Sequence, residues 1–402
     1  MNRSYSSKCF SRKGLCFDFI QCFVLLLLFV FFQGCHKDSK QVVYKPTPYQ
    51  LPIPKYFPTE LNITADNPLT VEGIALGRYL FYDGRMTGST NPDSMMSCGT
   101  CHLQSRAFEC GIDHPKFIGG HPFGITGIKT PHVMLPMMNL VFNNNGYFWN
   151  GLIHPSNPMP GRQTLEDVVY MGLTAPHELN GDSARTVALI QKIPGYPELF
   201  EKAFGSKKVT FKNIERAVAQ FIRTLVSANS KFDKYLRGEV ALSDDEMAGL
   251  ELFTTELGGD CFHCHGSSGN PMFTTNLFYN NGKQTDFTGV NDDPRDRFHV
   301  TGNPMDIGAY RAPSLRNIDL TGPYMHDGRF KTLDEVLDFY STGVVASPYI
   351  SPLMHHVNTG GVRLSTNQKQ LLKSFLMSLH DDDFITNPNT AKPSKFPDGT
   401  SQ

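Results

Sequence analysis

The chain has 402 residues, more than one ordinary hydrophobic core supports, so its length predicts two domains. The formal net charge is −1, and no run of basic residues follows the N-terminal segment, which argues against a nucleic-acid-binding protein. Apolar residues make up 40% of the chain, so it can bury a core as ordinary globular proteins do.

Residues 1–34 are typical of an export signal. Basic residues precede an apolar stretch, residues 23–32, that is too short to span a bilayer. The Gly34-Cys35 pair that follows resembles a bacterial lipobox, so we predict a periplasmic protein anchored to a membrane surface only through lipidated Cys35. Simple cleavage and an uncleaved anchor are the alternatives. Residues 36–60 are predicted to be a Pro-rich tether.

Helical periodicity then predicts four amphipathic helices, within residues 70–83, 210–226, 243–255 and 365–380. Thr70 is a predicted N-cap, and Ser243 with Glu246 predicts a capping box. Strand-like alternation is scarce, and the Gly- and Pro-rich connections are long. We therefore expect a mainly α fold with few strands and long loops.

The pattern Cys-x-x-Cys-His occurs twice. A redox dithiol does not need the His, and a structural zinc site takes four ligands from two nearby pairs. Two thiols followed by His suit a c-type haem, whose vinyl groups react with the thiols while the His binds the iron. The pattern therefore predicts two covalent haems, at Cys98, Cys101 and His102 and at Cys261, Cys264 and His265.

The segments that follow the two patterns are alike, which predicts a duplicated haem domain. Residues 164–168 (TLEDV) mirror residues 332–336 (TLDEV), and each begins with a Thr that can cap a helix. The interpretation is two cytochrome c-like haem domains related by duplication, at residues 61–235 and 236–385, followed by a polar tail at residues 386–402.

From Leu51 to Asp383 the chain resembles the bacterial di-haem cytochrome c peroxidases, MauG-like proteins included. The resemblance rests on LGRYLFYDGRMTGS before the first haem pattern, YFWNG at residues 147–151, and VTGNPMDIGAYRAPSLRNIDLTGPYMHDGRFKTLDEVLDFY at residues 300–340. It implies that the N-terminal haem is the peroxide site and that the C-terminal haem passes electrons to it.

The resemblance also implies roles for single residues. His102 and His265 are the proximal ligands, and Trp149 carries electrons between the haems. Without the resemblance, the residue alone would predict that Trp149 is a buried core aromatic. The resemblance makes Glu178 the distal carboxylate, which moves a proton while the peroxide bond breaks. The alternative is that Glu178 is an ordinary exposed acid at a turn. Val168 stands where the family often has Gln, which makes the pocket more apolar.

The sixth ligand of the second haem distinguishes two branches of the family. Peroxidases use Met and MauG uses Tyr at the position that Tyr340 holds in this chain, so we predict Tyr340 as the ligand. Met325 and Met354 are nearby alternatives, and a core position for Tyr340 is the other reading.

Two further features of the family match only in part. Many peroxidases carry a His that caps the peroxide-binding iron, and His114 and His121 are candidates in the loop at residues 109–129. The resemblance also implies one possible Ca²⁺ site. Thr321 and Pro323 match residues of the family's site, but Lys129 stands in place of its Asn ligand.

The predicted function is a di-haem c-type peroxidase that reduces hydrogen peroxide with electrons from a small cytochrome c or cupredoxin. The first alternative is a MauG-like oxidase that stores two oxidising equivalents across both haems and oxidises a partner protein or organic substrate. The second is a non-enzymatic di-haem electron carrier. Dimers are common in the family, which leaves a homodimer open.

Overall fold

Helices dominate the part of the chain that the computed structural model describes, residues 44–267, 269–287 and 296–402. The predicted export signal, Cys35 and the first part of the tether, residues 36–43, lie outside these residues. None of the described helices is both long and apolar enough to cross a membrane. Lys45–Gln402 forms one compact unit, which is described below.

Two short strands accompany the helices, and the prediction of a mainly α fold is confirmed. The strands, Phe278–Tyr279 and Tyr310–Arg311, pair antiparallel. The α-helices of the described residues are Val71–Tyr82, Cys98–Cys101, Leu165–Thr174, Ser183–Lys192, Tyr196–Phe204, Phe211–Arg223, Lys231–Leu236, Asp244–Phe253, Phe262–His265, Asp296–Thr301, Leu333–Asp338, Thr366–Met377 and Asp382–Ile385. A π-helical turn, Phe339–Gly343, follows Leu333–Asp338 directly.

The predicted caps are present. The Thr70 hydroxyl accepts a hydrogen bond from the Gly73 amide at 3.0 Å. Ser243 and Glu246 form the predicted capping box, in which the Glu246 carboxylate accepts from the Ser243 amide at 2.7 Å. Each cap satisfies amides that the first helical turn leaves unpaired, and this local reason makes helix starts readable from sequence.

Each half contains one pair of closely packed helices, and the two pairs have the same contact. A Cβ on Gly77 would lie 1.9 Å from the Ala217 carbonyl oxygen, and one on Gly249 would lie 2.0 Å from the Leu371 carbonyl oxygen. Glycine therefore lets the helix backbones touch at equivalent points in both halves.

The predicted similarity of residues 164–168 to residues 332–336 is also seen in the structure. Thr164 and Thr332 both begin helices with capping boxes. Isolated bridges join Tyr147 to Ile153 in the first half and Tyr324 to Phe330 in the second, with the same spacing. The duplication is therefore visible in the backbone as well as in the haem patterns.

Two large hydrophobic clusters form the core, one for each half. Most of the first lies between Leu76 and Leu225, and the second lies between Phe232 and Leu379. The first cluster gives way to the second close to residues 235 and 236, where the domain boundary was predicted. The boundary itself remains a prediction.

The segment predicted as a polar tail packs back on the first half. Phe396 is buried, and the Tyr82 hydroxyl donates a hydrogen bond to the Thr390 carbonyl at 2.7 Å. Arg85 forms an ion pair with Asp398. These contacts join the end of the chain to the helix that precedes the first haem pattern.

Candidate active site

The first haem pattern lies on a single helical turn. Ser97 and Thr100 form a capping box that starts Cys98–Cys101, and His102 follows directly. The His102 side chain is buried, and its Nδ1 lies 2.6 Å from the Phe108 carbonyl oxygen. Burial lowers the pKa of His102 to about 4, so the ring is neutral at physiological pH. A neutral imidazole whose Nδ1 is held by a carbonyl presents Nε2 to a metal.

The second pattern repeats this arrangement. His265 ends the short helix Phe262–His265, and its Nδ1 lies 3.1 Å from the Pro313 carbonyl oxygen. Burial lowers the pKa of His265 to about 4 as well. The four cysteines of the two patterns form no disulfide among the described residues, so their thiols can form thioether bonds.

A cavity of about 350 Å³ lies beside the first pattern. Its walls include both thiols of the pattern and His102, and Val168 and Glu178 line it as well. The predicted apolar substitution at Val168 therefore lies in the same cavity as the predicted acid–base group. The cavity fits the apolar plane of a haem bound through the thiols and His102.

Glu178 occupies a tight turn after the helix Leu165–Thr174. Its amide donates to the Ala175 carbonyl at 3.0 Å, and a Cβ on Gly172 would lie 3.0 Å from its Oε2. The side chain keeps 23% of its surface exposed, but the residue lines the cavity, so a bound haem would cover it further. Burial raises the pKa of Glu178 to about 7. Such a carboxyl group can both accept and return a proton near neutral pH.

A second cavity of about 190 Å³ lies beside the second pattern, and Tyr340 lines it. Asn281 Nδ2 donates a hydrogen bond to the Tyr340 hydroxyl oxygen at 3.1 Å and lies 3.6 Å from Met325 Sδ. Burial raises the pKa of Tyr340, and the Asn281 hydrogen bond opposes that rise. Met325 and Met354 also line this cavity, so all three predicted candidates for the sixth ligand are close to it.

The backbone at Tyr340 is unusual. Tyr340 lies in the π-helical turn Phe339–Gly343, a type of turn found frequently at functional sites. The wider turn changes the direction in which successive side chains leave the helix. It is the local feature that sets the position of Tyr340 at the cavity.

Two residues line both cavities, Trp149 and Arg311. The indole of Trp149 is 9% exposed, and its Nε1 donates to the Val133 carbonyl at 2.9 Å. The Trp149 carbonyl in turn accepts from the Arg311 amide at 2.8 Å. The Arg311 guanidinium donates to the Gly146 carbonyl at 3.3 Å, so hydrogen bonds hold both the aromatic ring and the guanidinium group between the two haem patterns.

Comparison with known proteins decides the family. The sequence profile described as Di-haem cytochrome c peroxidase matches residues 71–241. Methylamine utilization protein MauG of Methylorubrum extorquens is 34% identical over 287 residues, covering 71% of this chain and 73% of that protein. The chain belongs to the di-haem cytochrome c peroxidase family.

Other relatives include both peroxidases and MauG-like proteins. Cytochrome c551 peroxidase of Nitrosomonas europaea is 32% identical over 277 residues, covering 69% of this chain and 75% of that protein. A crystal structure of a MauG-like protein associated with microbial copper homeostasis is 32% identical, with a TM-score of 0.73 over 86% of this chain and 100% of that chain. The di-haem peroxidase BthA of Burkholderia thailandensis has a TM-score of 0.62 at 19% identity, over 89% of this chain and 99% of that chain, and shows the shared fold.

Family membership makes this di-haem peroxidase a peroxidase-type oxidoreductase with two c-type haems. Hydrogen peroxide and a protein or cytochrome partner are the general partners of such enzymes. The reading as a non-enzymatic carrier is therefore not supported.

The two loop histidines proposed as iron caps have other contacts in the structure. His114 Nε2 lies 2.8 Å from the Thr100 carbonyl oxygen, and its Nδ1 accepts from the Lys116 and Phe117 amides. His121 Nε2 lies 2.8 Å from the Thr130 carbonyl oxygen. Neither is among the described residues that line the first cavity.

Sequence reasoning missed three residues that line the first cavity, His132, His177 and Arg311. His177 Nε2 lies 3.9 Å from Glu178 Oε1, and its place next to Glu178 in the chain was the one signal available. Arg311 is buried, and its Nε has no hydrogen-bond partner within the described part of the chain. Burial lowers the pKa of Arg311 to about 10, which leaves it charged at neutral pH.

Proposed function

We propose that this enzyme reduces hydrogen peroxide in the first cavity, with electrons that enter through the second haem and pass by way of Trp149. Glu178 carries the proposal, because a carboxyl group with a pKa of about 7 lines the same apolar cavity as the His102 ring. An electron carrier has no use for a proton-transfer group at that place.

The residues that would hold the haems follow from the two cavities. The thiols of Cys98 and Cys101 would bind one haem, and those of Cys261 and Cys264 the other. His102 and His265 would be the proximal ligands, and Tyr340 would be the sixth ligand of the second haem. Arg311 suits haem propionates, because its charged guanidinium lines both cavities and its Nε lacks a partner among the described residues.

Proton transfer is the part of the reaction that Glu178 performs. A bound haem supplies an iron at which the peroxide oxygen–oxygen bond can break. Reduction of one peroxide to two waters consumes two electrons and two protons. Glu178 would accept one proton of the peroxide and return it to the leaving oxygen, which departs as water. The nearby His177 Nε2 lies 3.9 Å from Glu178 Oε1, beyond hydrogen-bond distance.

Electron transfer depends on the residues between the cavities. Trp149 lines both, is nearly buried and is fixed by its Nε1 hydrogen bond, so its ring has one orientation. The stacked pair Tyr310 and His326 lies on the side of the second cavity, with Trp149 and His326 ring centroids 6.3 Å apart. This continuous set of rings supports a route from the second haem to the first.

Steady-state turnover tests the peroxidase function. The holoenzyme, supplied with a reduced small cytochrome c or a reduced cupredoxin, should oxidise two one-electron donors for each peroxide consumed. Peroxide consumption without donor oxidation would contradict the function.

A MauG-like oxidase is the second candidate, favoured by Tyr340 and its Asn281 hydrogen bond. Tyr as a haem ligand favours ferric iron and lowers the potential, whereas Met raises it. Val168 in the first cavity also favours the oxidase, because it stands where the family often has a polar Gln, which is expected of an efficient peroxidase. A Tyr340→Met variant that gains donor turnover with peroxide, and loses oxidation of a protein substrate, would favour this second function.

The proposed location is the periplasmic face of a membrane, with a lipid on Cys35. The apolar stretch that ends at Gly34-Cys35 supports it. Metabolic labelling with a fatty acid, compared between the natural chain and a Cys35→Ala variant, tests the anchor.

Calcium binding and a homodimer stay predictions. The Pro323 ring lies against Gly120 of the first half, so the Thr321–Pro323 segment does bridge the halves. Lys129, in place of the family's Asn, is exposed. Removal of Ca²⁺ with a chelator, followed by a haem spectrum and a measurement of molecular mass, tests both.

A further inference from the structure

A cluster of three metal-binding side chains lies beside the second haem pattern. Glu256, His263 and His355 each place one ligand atom within 4.8 Å of the others. His263 lies between the two cysteines of the pattern, and His355 lines the second cavity. The cluster is therefore at the edge of the second haem site, and none of its members is a proposed haem ligand.

The groups have room for an ion among them. His263 Nε2 and Glu256 Oε1 lie 3.7 Å apart, slightly more than the separation of two ligands on one tetrahedral ion. The rings of His263 and His355 are nearly perpendicular, with centroids 4.8 Å apart. Small side-chain rotations would bring all three groups to one ion, because Glu256 is 61% exposed and free to adjust.

A buried carboxylate stands behind both histidines. The Asp260 side chain is 7% exposed, and its two oxygens lie 2.6 Å from His263 Nδ1 and 3.5 Å from His355 Nδ1. A carboxylate that accepts from the Nδ1–H of a histidine fixes the tautomer whose Nε2 binds a metal. Asp260 thus has the position of the outer carboxylate in known carboxylate–histidine–metal sites.

The donor set indicates the class of ion. Two imidazoles and one carboxylate suit Zn²⁺ and Cu²⁺, whereas Ca²⁺ and Mg²⁺ prefer oxygen ligands alone. The outer side of the cluster is open, since His355 keeps 38% of its side chain exposed, so water can complete the coordination. Glu256 and Asp260 also bring two carboxyl groups to the cluster, and a divalent cation would compensate their charge.

We propose that Glu256, His263 and His355 bind one divalent transition-metal ion of the Zn²⁺ or Cu²⁺ class, with Asp260 orienting the histidines. Glu256 and His263 come from one segment at the second haem pattern, and His355 comes from a distant part of the chain. A bound ion would therefore connect the segment around His355 to the second haem pattern and place positive charge at the edge of that haem.

Titration of the chelator-treated holoenzyme with Zn²⁺ in a calorimeter tests the site. One equivalent should bind, and Ca²⁺ should not compete. Glu256→Gln and His355→Gln should each weaken Zn²⁺ binding at least tenfold, and Asp260→Asn by about 10–100-fold. The electron paramagnetic resonance spectrum of added Cu²⁺ should show coupling to two imidazole nitrogens.

Matched exposed residues serve as controls. Glu251→Gln and His299→Gln remove the same chemical groups elsewhere on the surface and should leave Zn²⁺ affinity unchanged. Haem content, measured for each variant, separates loss of the site from loss of the haem. The proposal is overturned by the absence of saturable Zn²⁺ binding, by equal affinity for Ca²⁺, or by Glu256→Gln and His355→Gln variants that bind like the controls.

Discussion

Replacement of Glu178 by Gln keeps the size of the side chain and removes its ability to accept a proton. The amide would occupy the same turn, because the backbone hydrogen bond to Ala175 does not involve the side chain. We therefore expect both haems to attach and the fold to persist, while the reaction with peroxide slows.

The structure sets the size and the pH dependence of the effect. General acid–base catalysis typically contributes a factor of about 10²–10⁴, or about 2.7–5.4 kcal/mol of activation free energy. With a pKa of about 7, Glu178 is about 10% ionised at pH 6 and about 90% ionised at pH 8. Only the ionised form accepts the proton, so the peroxide rate constant should rise roughly tenfold between these pH values. In Glu178→Gln this rise should disappear.

The raised pKa also has a consequence for folding. Because the folded state favours protonated Glu178, its contribution to stability is fully present below the unfolded pKa near 4.5 and is lost as the pH rises through about 7. Chemical denaturation of the natural enzyme and of Glu178→Gln, at pH 5 and pH 8, should show a smaller loss at high pH in the variant.

Stopped-flow absorbance of the ferric holoenzyme, mixed with peroxide across this pH range, measures the rate constant. Glu215→Gln is the matched control, since burial also raises the pKa of Glu215 to about 7 and Glu215 does not line the described cavities. The control should react at the parent rate. A Glu178→Gln variant within threefold of the parent, or a control equally slow, would refute the role of Glu178.

Three other substitutions test separate parts of the account. Tyr340→Phe should change the absorption spectrum and the potential of one haem, and an unchanged spectrum would remove Tyr340 as a ligand. Trp149→Phe leaves the Val133 carbonyl unpaired, which should cost about 1–3 kcal/mol in chemical denaturation. It should also slow reoxidation of the reduced second haem by peroxide, and a parent rate would exclude Trp149 from the route. Arg223→Met leaves Glu166 buried without its bidentate partner, at 2.6 and 2.9 Å, and should cost about 3–5 kcal/mol, whereas a loss under 1 kcal/mol would contradict the pairing.

Local signals account for what could be predicted from the sequence. The Thr70 and Ser243 caps and the two Cys-x-x-Cys-His patterns each depend on neighbours within a few residues. The structure contains these features because each is held by hydrogen bonds inside one helical turn. The duplication was visible for the same reason, since each half repeats the local signals.

Long-range contacts account for what sequence reasoning missed. Arg311 and Asn281 reach the cavities from distant parts of the chain, and no local pattern marks either as part of a site. His114 shows the opposite case, because its position in the loop suggested an iron cap while its ring nitrogens pair with nearby backbone groups. The end of the chain reads as polar, yet Phe396 packs into the first core through contacts far apart in sequence.

In the proposed function, one haem reacts with peroxide and the other stores electrons. Spectroscopic redox titration of the isolated holoenzyme, followed by one equivalent of peroxide, tests it most directly. We expect two potentials, a first haem with a site open to peroxide, and a spectral change on peroxide addition that Glu178→Gln slows. Two six-coordinate low-spin ferric haems whose spectra peroxide leaves unchanged would contradict it.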